Sequence, residues 1–410
     1  MSAQPSLHPT PRKASLRLAQ GFAAIGHFYI HFFTSIYFVI VLALEKEWGQ
    51  SYGELIGLWT AGSLLVGVGA LPAGWLGDRW SARGMMAVFF VGIGAAAMLC
   101  GFTNGPVSLA IGLAGIGLFA SIYHPVGIAW LVRNARQQGK ALGFNGIFGN
   151  IGVSIAGILT GALIDLSGWR VAFIMPGILS VLTGIAMLWA IRAGRLVEGD
   201  QPGHKGRPPT KSEMVRGVVI LLMAMFLSGI IYQATQAALP KQFELRFVDW
   251  LNGSTLGVGA MIAIVYGVAG LIQYFGGHVA DRYNLKYVYA GAFLLQVPLL
   301  AAISAVMGVP LLIATTLAVV LSVGLLPAEN MMLTRFTPER HRGLAFGMKY
   351  VISFGTAPLG LLLVRFVVEG TNGLDRLWLI LAGAAAIVFI AALALPSDAR
   401  AARKATAPAE

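Results

Sequence analysis

The 410 residues are 57% hydrophobic and 11% charged, where soluble domains carry roughly 25% charged residues, which excludes a water-facing fold of this length. The net charge of +12 does not point to nucleic acid, because the basic residues are scattered among apolar runs and form no aromatic-interleaved face. The single cysteine, Cys100, excludes a disulfide within the chain and any CxxC metal or redox site; in its apolar run it reads as a small packing residue.

In chain order, residues 1–16 are a polar, proline-containing stretch with Arg12 and Lys13, expected to be a disordered tail. The apolar run from about Leu18 to Leu44 is too long for a signal-peptide core and is predicted to be a first spanning helix. Further runs lie near 53–76, 85–103, 106–132, 141–164 and 171–191, making a first bundle over residues 17–192. Residues 193–215, with Pro202, Pro208, Pro209 and mixed charges, read as a linker. Six more runs, near 217–239, 253–276, 287–307, 309–334, 343–368 and 375–395, make a second bundle over 216–396, followed by a charged tail at 397–410. The expected architecture is all-α, with twelve spans in two pseudo-symmetric six-helix bundles.

The two bundles are related in sequence. GWLGDRWSARG, from Gly74, recurs as GHVADRYNLKY, from Gly277, matching Asp78 with Asp281, Arg79 with Arg282 and Arg83 with Lys286. With the N-terminus inside, the cytoplasmic segments hold these turns and most of the Lys and Arg, while the outer loops carry Glu45, Glu47, Asp165, Glu244, Asp249 and Asp375. This asymmetry places both termini in the cytoplasm, and the expected location is a bacterial inner membrane.

Two six-helix halves, each with a G-x-x-x-D-R turn after its second helix, and a basic central linker resemble the major facilitator superfamily over essentially the whole chain. The resemblance implies that Asp78, Arg79, Arg83, Asp281, Arg282 and Lys286 belong to a cytoplasmic gate. The chain departs from the usual pattern at Ser81 and Asn284, where the family has glycine, and at Ala82 and Leu285, where it has a basic residue. More narrowly, IGHFYIH and SIYHPVG are similar to segments of fosmidomycin-resistance-type exporters, with His27, His124 and Pro125 matching and with His31 and Val126 standing where that branch has acids.

Ionisable residues inside spanning helices are functional candidates because placing them there is costly. At 1.5 Å per residue, His27 lies roughly 15 Å along the first helix and His124 roughly 14 Å from the cytoplasmic end of the fourth, at matching depth. His31 is one turn from His27 on the same face. Such a cluster suits a proton or an anionic group; the competing reading is hydrogen bonding to backbone carbonyls between packed helices. Pro125 reads as a kink. Glu329 and Lys349 each lie roughly 9 Å inside the membrane, on helices joined by one short loop, and are expected to pair as a switch or a static brace. Arg365 and Glu369, one turn apart, read as an interfacial pair. Tyr37, Asn145, Asn150, Tyr232, Gln233, Gln236 and Asn330 are candidates for orienting a polar ligand, and the glycine-rich fifth helix for close packing. No phosphate-binding GxxxxGK[ST] is present, and the sequence displays no metal-ligand or nucleophile constellation. No cofactor is expected and the chain is not read as an enzyme.

The reading is a monomeric carrier working by alternating access, with a small-molecule substrate, protons and the lipid bilayer as its partners. Proton-coupled export of a small polar or amphipathic compound is favoured on the fosmidomycin-type likeness. Proton-linked uptake of a metabolite or siderophore-like compound remains open, as does a non-transporting membrane sensor with the same fold.

Overall fold

A computed structural model describes residues 11–134, 138–196, 211–337, 342–371 and 373–396. The expected tails at 1–10 and 397–410, and 197–210 of the linker, lie outside the described residues. All regular elements among the described residues are helices. The first bundle comprises α1 (Pro11–Trp48), α2 (Tyr52–Val68 with Ala70–Arg79, bent by 40°), α3 (Ala82–Gly101), α4 (Pro106–Leu131), α5 (Gln138–Ser167) and α6 (Trp169–Arg192). The second comprises α7 (Lys211–Arg246), α8 (Thr255–Arg282), α9 (Leu285–Ile303), α10 (Gly308–Phe336), α11 (Arg342–Gly355 with Ala357–Thr371) and α12 (Asp375–Leu393). Among the described residues, eleven helices are long and apolar enough to span a bilayer, and the bent α2 makes a twelfth if its two parts are one span.

Two short stretches read as lying outside the bundles are helical. Residues 11–16 of the expected tail belong to α1. Residues 211–215 of the expected linker belong to α7.

The duplication seen in sequence reappears as packing. Helix α5 lies along α8, α2 lies along α11, and α1 meets α7. Under the pairing of first-half with second-half helices, α5–α8 and α11–α2 are equivalent contacts. Backbones approach closely in both. A Cβ on Gly157 of α5 would lie 2.8 Å from the Gly259 carbonyl of α8, and one on Gly67 of α2 would lie 2.6 Å from the Gly355 nitrogen of α11. Small residues permit this approach, which lipid-facing helices need because burial of apolar surface gives no net drive in a bilayer.

Ser81 and Asn284, the departures from the repeated turn's glycine, have a local explanation. Ser81 Oγ accepts a hydrogen bond from Gly84 N at 3.1 Å, and Asn284 Oδ1 accepts one from Lys286 N at 3.1 Å. Each therefore caps the helix that follows, α3 and α9, satisfying a backbone donor that glycine would leave bare.

Helix α4 carries one irregular turn, a π-turn over Tyr123–Gly127 that contains Pro125. Proline removes the donor that would close the α-helical bond, and the extra residue re-aims the side chains of the turn. This turn holds His124, which is buried at 8% exposure.

The end of the bundle away from the 192–211 connection is tied by polar contacts. Lys241 of α7 bridges Glu45 of α1 at 2.7 Å and Glu244 at 2.8 Å. Asp165 of α5 caps α8, accepting from Leu256 N at 2.9 Å, from Ser254 Oγ at 3.0 Å, and from the Thr255 hydroxyl and amide. Arg170 pairs with Glu47 at 3.1 Å and Arg246 with Asp375 at 2.5 Å.

Candidate functional site: a cleft between the two halves

Helices α1, α2 and α4 from the first half and α7 and α11 from the second line a narrow cleft. His31, Thr34, Ser63 and His124 supply polar atoms on the first-half side, with Trp59 beside them. Tyr232, Gln233, Gln236 and Phe354 face them from the second half. Polar side chains interleave with apolar ones around the wall, so that hydrogen bonds can fix the orientation of a solute held against apolar surface.

The three histidines converge. The ring centroid of His27 lies 4.9 Å from that of His31 and 5.5 Å from that of His124, and His31 lies 5.5 Å from His124. One ligating nitrogen from each falls within 4.8 Å of the other two. Their i, i+4 spacing puts His27 and His31 on one face of α1, and the π-turn aims His124 at them. His27 Nδ1 lies 2.6 Å from the Asn145 carbonyl and 3.1 Å from Asn145 Nδ2, and the shorter contact is satisfied when Nδ1 carries the proton. Asn145 is held in turn: Tyr123 OH donates to its Oδ1 at 3.0 Å and to the Ala23 carbonyl at 2.7 Å. His124 stacks on Phe354 at 4.7 Å and on Tyr350 at 5.1 Å, but both its ring nitrogens are buried without a hydrogen-bond partner.

In the second half, Lys349 Nζ lies 2.8 Å from Glu329 Oε1, with both side chains buried. Tyr289 OH donates to Glu329 Oε2 at 3.1 Å, and Lys349 donates to Asn330 Oδ1 at 2.5 Å. The carboxylate and ammonium thereby find charge and hydrogen-bond partners together, the condition for keeping an ion pair out of water. Tyr350 follows Lys349 in sequence and stacks on His124, so this network abuts the histidine cluster.

The other candidates sort by position. Tyr232, Gln233 and Gln236 line the cleft, and Gln236 Nε2 donates to Ser35 Oγ of the first half at 2.8 Å. Asn145 supports His27 rather than facing the cleft, and is 1% exposed. Asn150 joins the halves, donating to Gln273 Oε1 of α8 at 2.5 Å. Tyr37 does not serve as a cleft residue: its hydroxyl donates to the Leu55 carbonyl at 2.6 Å, tying α1 to α2. Arg365 and Glu369 pair at 3.0 Å at the surface.

Of the gate candidates, Arg83 donates to the Leu196 carbonyl at 2.6 Å, binding the start of α3 to the chain after α6. Arg79 lies 4.7 Å over the Trp75 ring and Lys286 5.8 Å over the Tyr287 ring. Asp78 and Arg282 are exposed, and the Asp281 side chain lies outside the described residues.

Sequence reasoning passes over Tyr123, Trp59, Tyr289, Tyr350 and Phe354, because an aromatic residue in a spanning helix is ordinarily packing or belt. The available signal is adjacency: Tyr123 precedes His124 and Tyr350 follows Lys349. The histidine cluster itself joins two positions on α1 to one on α4, a proximity that no local spacing encodes.

Fold and site together define a polytopic helical membrane protein with twelve spans in two bundles and a cleft between them. Residues 23–272 and 251–410 match the sequence model of the Major Facilitator Superfamily, and the chain belongs to that family. It is 26% identical over 262 residues to a probable L-galactonate transporter of Escherichia coli (strain K12), covering 58% of this chain and 56% of that protein. It is 22% identical over 352 residues to the 4-hydroxybenzoate transporter PcaK of Pseudomonas putida, covering 77% and 78%. The chain thus spans about half the length of the first of these relatives and over three quarters of the second. The crystal structure of a bacterial homologue of the human lysosomal transporter Spinster, inward-facing and unoccupied, superposes with a TM-score of 0.72 at 13% identity. That match covers 93% of this chain and 98% of the other, a likeness of fold alone.

Proposed function

We propose that the protein is a secondary transporter that carries a small carboxylate-bearing solute across a bacterial inner membrane by alternating access. The observation that carries this reading is the cleft itself. It lies between the two halves, with imidazoles on one wall and amide and aromatic side chains on the other, where rocking of the halves exposes it to each side in turn. Imidazole N–H groups donate to a carboxylate, Gln233 and Gln236 serve hydroxyl groups, and Trp59 and Phe354 cover a planar body. The acids named for two relatives, galactonate and 4-hydroxybenzoate, support a carboxylate with hydroxyl groups. Each chain holds a complete cleft, which supports a monomer, and the excess of Lys and Arg near the connection between halves supports cytoplasmic termini.

Coupling to protons is assigned to the Glu329–Lys349 pair. Lys349, Tyr289 and Tyr350 are the titratable groups facing Glu329. Protonating the carboxylate removes its attraction for Lys349, freeing α11 to move against α10.

Purified protein in liposomes containing a pH dye tests this reading directly. External addition of aromatic and sugar acids is expected to move protons for at least one of them. Internal acidification marks symport; alkalinisation marks antiport, the sign required by the export expected from the fosmidomycin-type likeness. Movement is expected to disappear in His27→Gln and His124→Gln at unchanged yield of folded protein. Wild-type flux in both variants overturns the site. Uncoupled flux removes the proton from the mechanism.

A further inference from the structure

We propose that His27, His31 and His124 form a binding site for a divalent transition-metal ion of the zinc type, with one coordination position open to the cleft. The proposal goes beyond the carrier reading and stands without it, since binding is measured in the absence of flux.

Three features carry it. The first is the donor set. One nitrogen from each imidazole lies within 4.8 Å of the other two. Zinc–nitrogen bonds of about 2.0–2.1 Å in tetrahedral geometry set neighbouring nitrogens about 3.4 Å apart. Each ring then moves inward by at most about 0.8 Å to reach that geometry, a displacement that side-chain rotation supplies. Imidazole is a preferred ligand for zinc, copper and nickel, and three protein nitrogens with a fourth position free is the arrangement of accessible zinc sites.

The second is the outer support. A metal-bound histidine ordinarily donates its other ring N–H to a carbonyl or carboxylate, which fixes the tautomer and aims the free nitrogen. His27 does this, with Nδ1 2.6 Å from the Asn145 carbonyl, and Asn145 is itself pinned by Tyr123. Nε2 is left as the ligating atom. Beside it stands Gly149 of α5, where a Cβ would lie 2.9 Å from His27 Nε2 and 3.0 Å from His31 Cδ2. Glycine leaves that space clear.

The third is the unmet need of His124. The residue is more than nine-tenths buried, and neither ring nitrogen has a hydrogen-bond partner among the described residues. Stacking on Phe354 and Tyr350 satisfies its faces but not its edge. A buried polar atom left unpaired costs on the order of 1–3 kcal/mol, and coordination removes that cost.

Charge then says what fills the open position. The three imidazoles bring no negative charge, and Lys349, a cation whose field reaches His124, is already matched by Glu329. A dipositive ion here calls for an anionic fourth ligand, and His31 and His124 both border the cleft. A carboxylate entering the cleft meets that requirement.

The test uses untagged, metal-stripped protein in detergent, titrated with Zn²⁺ against a chromophoric chelator. Expected is one Zn²⁺ per chain, weakened at least tenfold in His27→Gln, His31→Gln and His124→Gln, and tightened by added benzoate. No stoichiometric binding, or equal binding in the triple variant, overturns the site; an affinity indifferent to benzoate overturns the open position. Should the variants fold poorly, X-ray absorption at the zinc edge of the wild-type protein decides. Three imidazole nitrogens at about 2.0–2.1 Å support the site, and a shell without imidazole scattering overturns it. Flux with no Zn²⁺ binding overturns the metal site alone, whereas Zn²⁺ binding with no flux for any acid counts against the carrier reading and leaves the site standing.

Discussion

His124 of α4 lies flat against Phe354 of α11, with ring centroids 4.7 Å apart. The stack joins the first bundle to the second at the cleft, so any motion of one half against the other must slide or break it. Replacing Phe354 with Leu keeps an apolar side chain but removes the aromatic face, worth about 1 kcal/mol. Solute KM is expected to rise roughly fivefold, the rate equivalent of about 1 kcal/mol, with folded yield unchanged. A KM equal to wild type shows that the stack is packing and not part of the binding surface.

The Glu329–Lys349 pair invites a double-mutant cycle. Either Glu329→Gln or Lys349→Met strands a buried charge or its partners, and each is expected to cost about 3 kcal/mol. The double variant recovers most of that loss, since two neutral groups need no counterion. Thermal unfolding in detergent reads the stability and liposome flux reads the function. Recovered stability without recovered flux identifies a switch; recovery of both identifies a brace; additive losses show that the two side chains do not interact.

Asp165 ties α5 to the first turn of α8 through both side-chain and backbone donors. Asp165→Ala removes a helix cap worth about 1 kcal/mol together with a bond between the halves. Spin labels at residues 166 and 256 are expected to show a broader and longer distance distribution than in the wild type. An unchanged distribution means that other contacts alone hold this end.

Gly259 faces the carbonyl of Gly157 across the α5–α8 contact. A valine there collides with backbone rather than with a movable side-chain tip, and overpacking of this kind costs about 1–3 kcal/mol. Gly259→Val is expected to lower the thermal midpoint by several degrees and to slow flux. Wild-type behaviour in both measurements would show that the helices separate without cost.

Ser81 and Asn284 cap equivalent helices in the two halves. Ser81→Ala and Asn284→Ala are each expected to cost about 1 kcal/mol, while the glycine variants cost only a few tenths. The two losses add, because the sites are distant and share no partner. Alanine and glycine behaving alike at either position argues against capping.

Much of this molecule is written locally. Twelve apolar runs, the polar linker at 193–215 and the repeated D-R turn fix the number of spans and their grouping, because a spanning helix satisfies its own backbone bonds and needs about 20 apolar residues to do so. The ion pair of Glu329 with Lys349 is legible for the same reason: two opposite charges at one depth, on helices joined by a short loop, have few other partners. The caps at Ser81 and Asn284 follow from residue type, though their role as replacements for glycine emerges only from the bonds they make.

What the helices do to each other was decided by tertiary structure alone. A spanning helix that is apolar all round does not announce which face turns inward, so Tyr37 reads as a cleft residue in sequence yet binds the Leu55 carbonyl. Asn145 reads the same way and instead supports His27. The meeting of His27, His31 and His124 depends on the π-turn that re-aims one side chain of α4 toward a face of α1. The sequence by itself determined that these residues lie at one depth in the membrane, since depth follows from rise per residue along a single helix. Only the packing of separate helices set their mutual distance, because rotation of each helix about its axis is fixed by contacts between segments far apart in the chain.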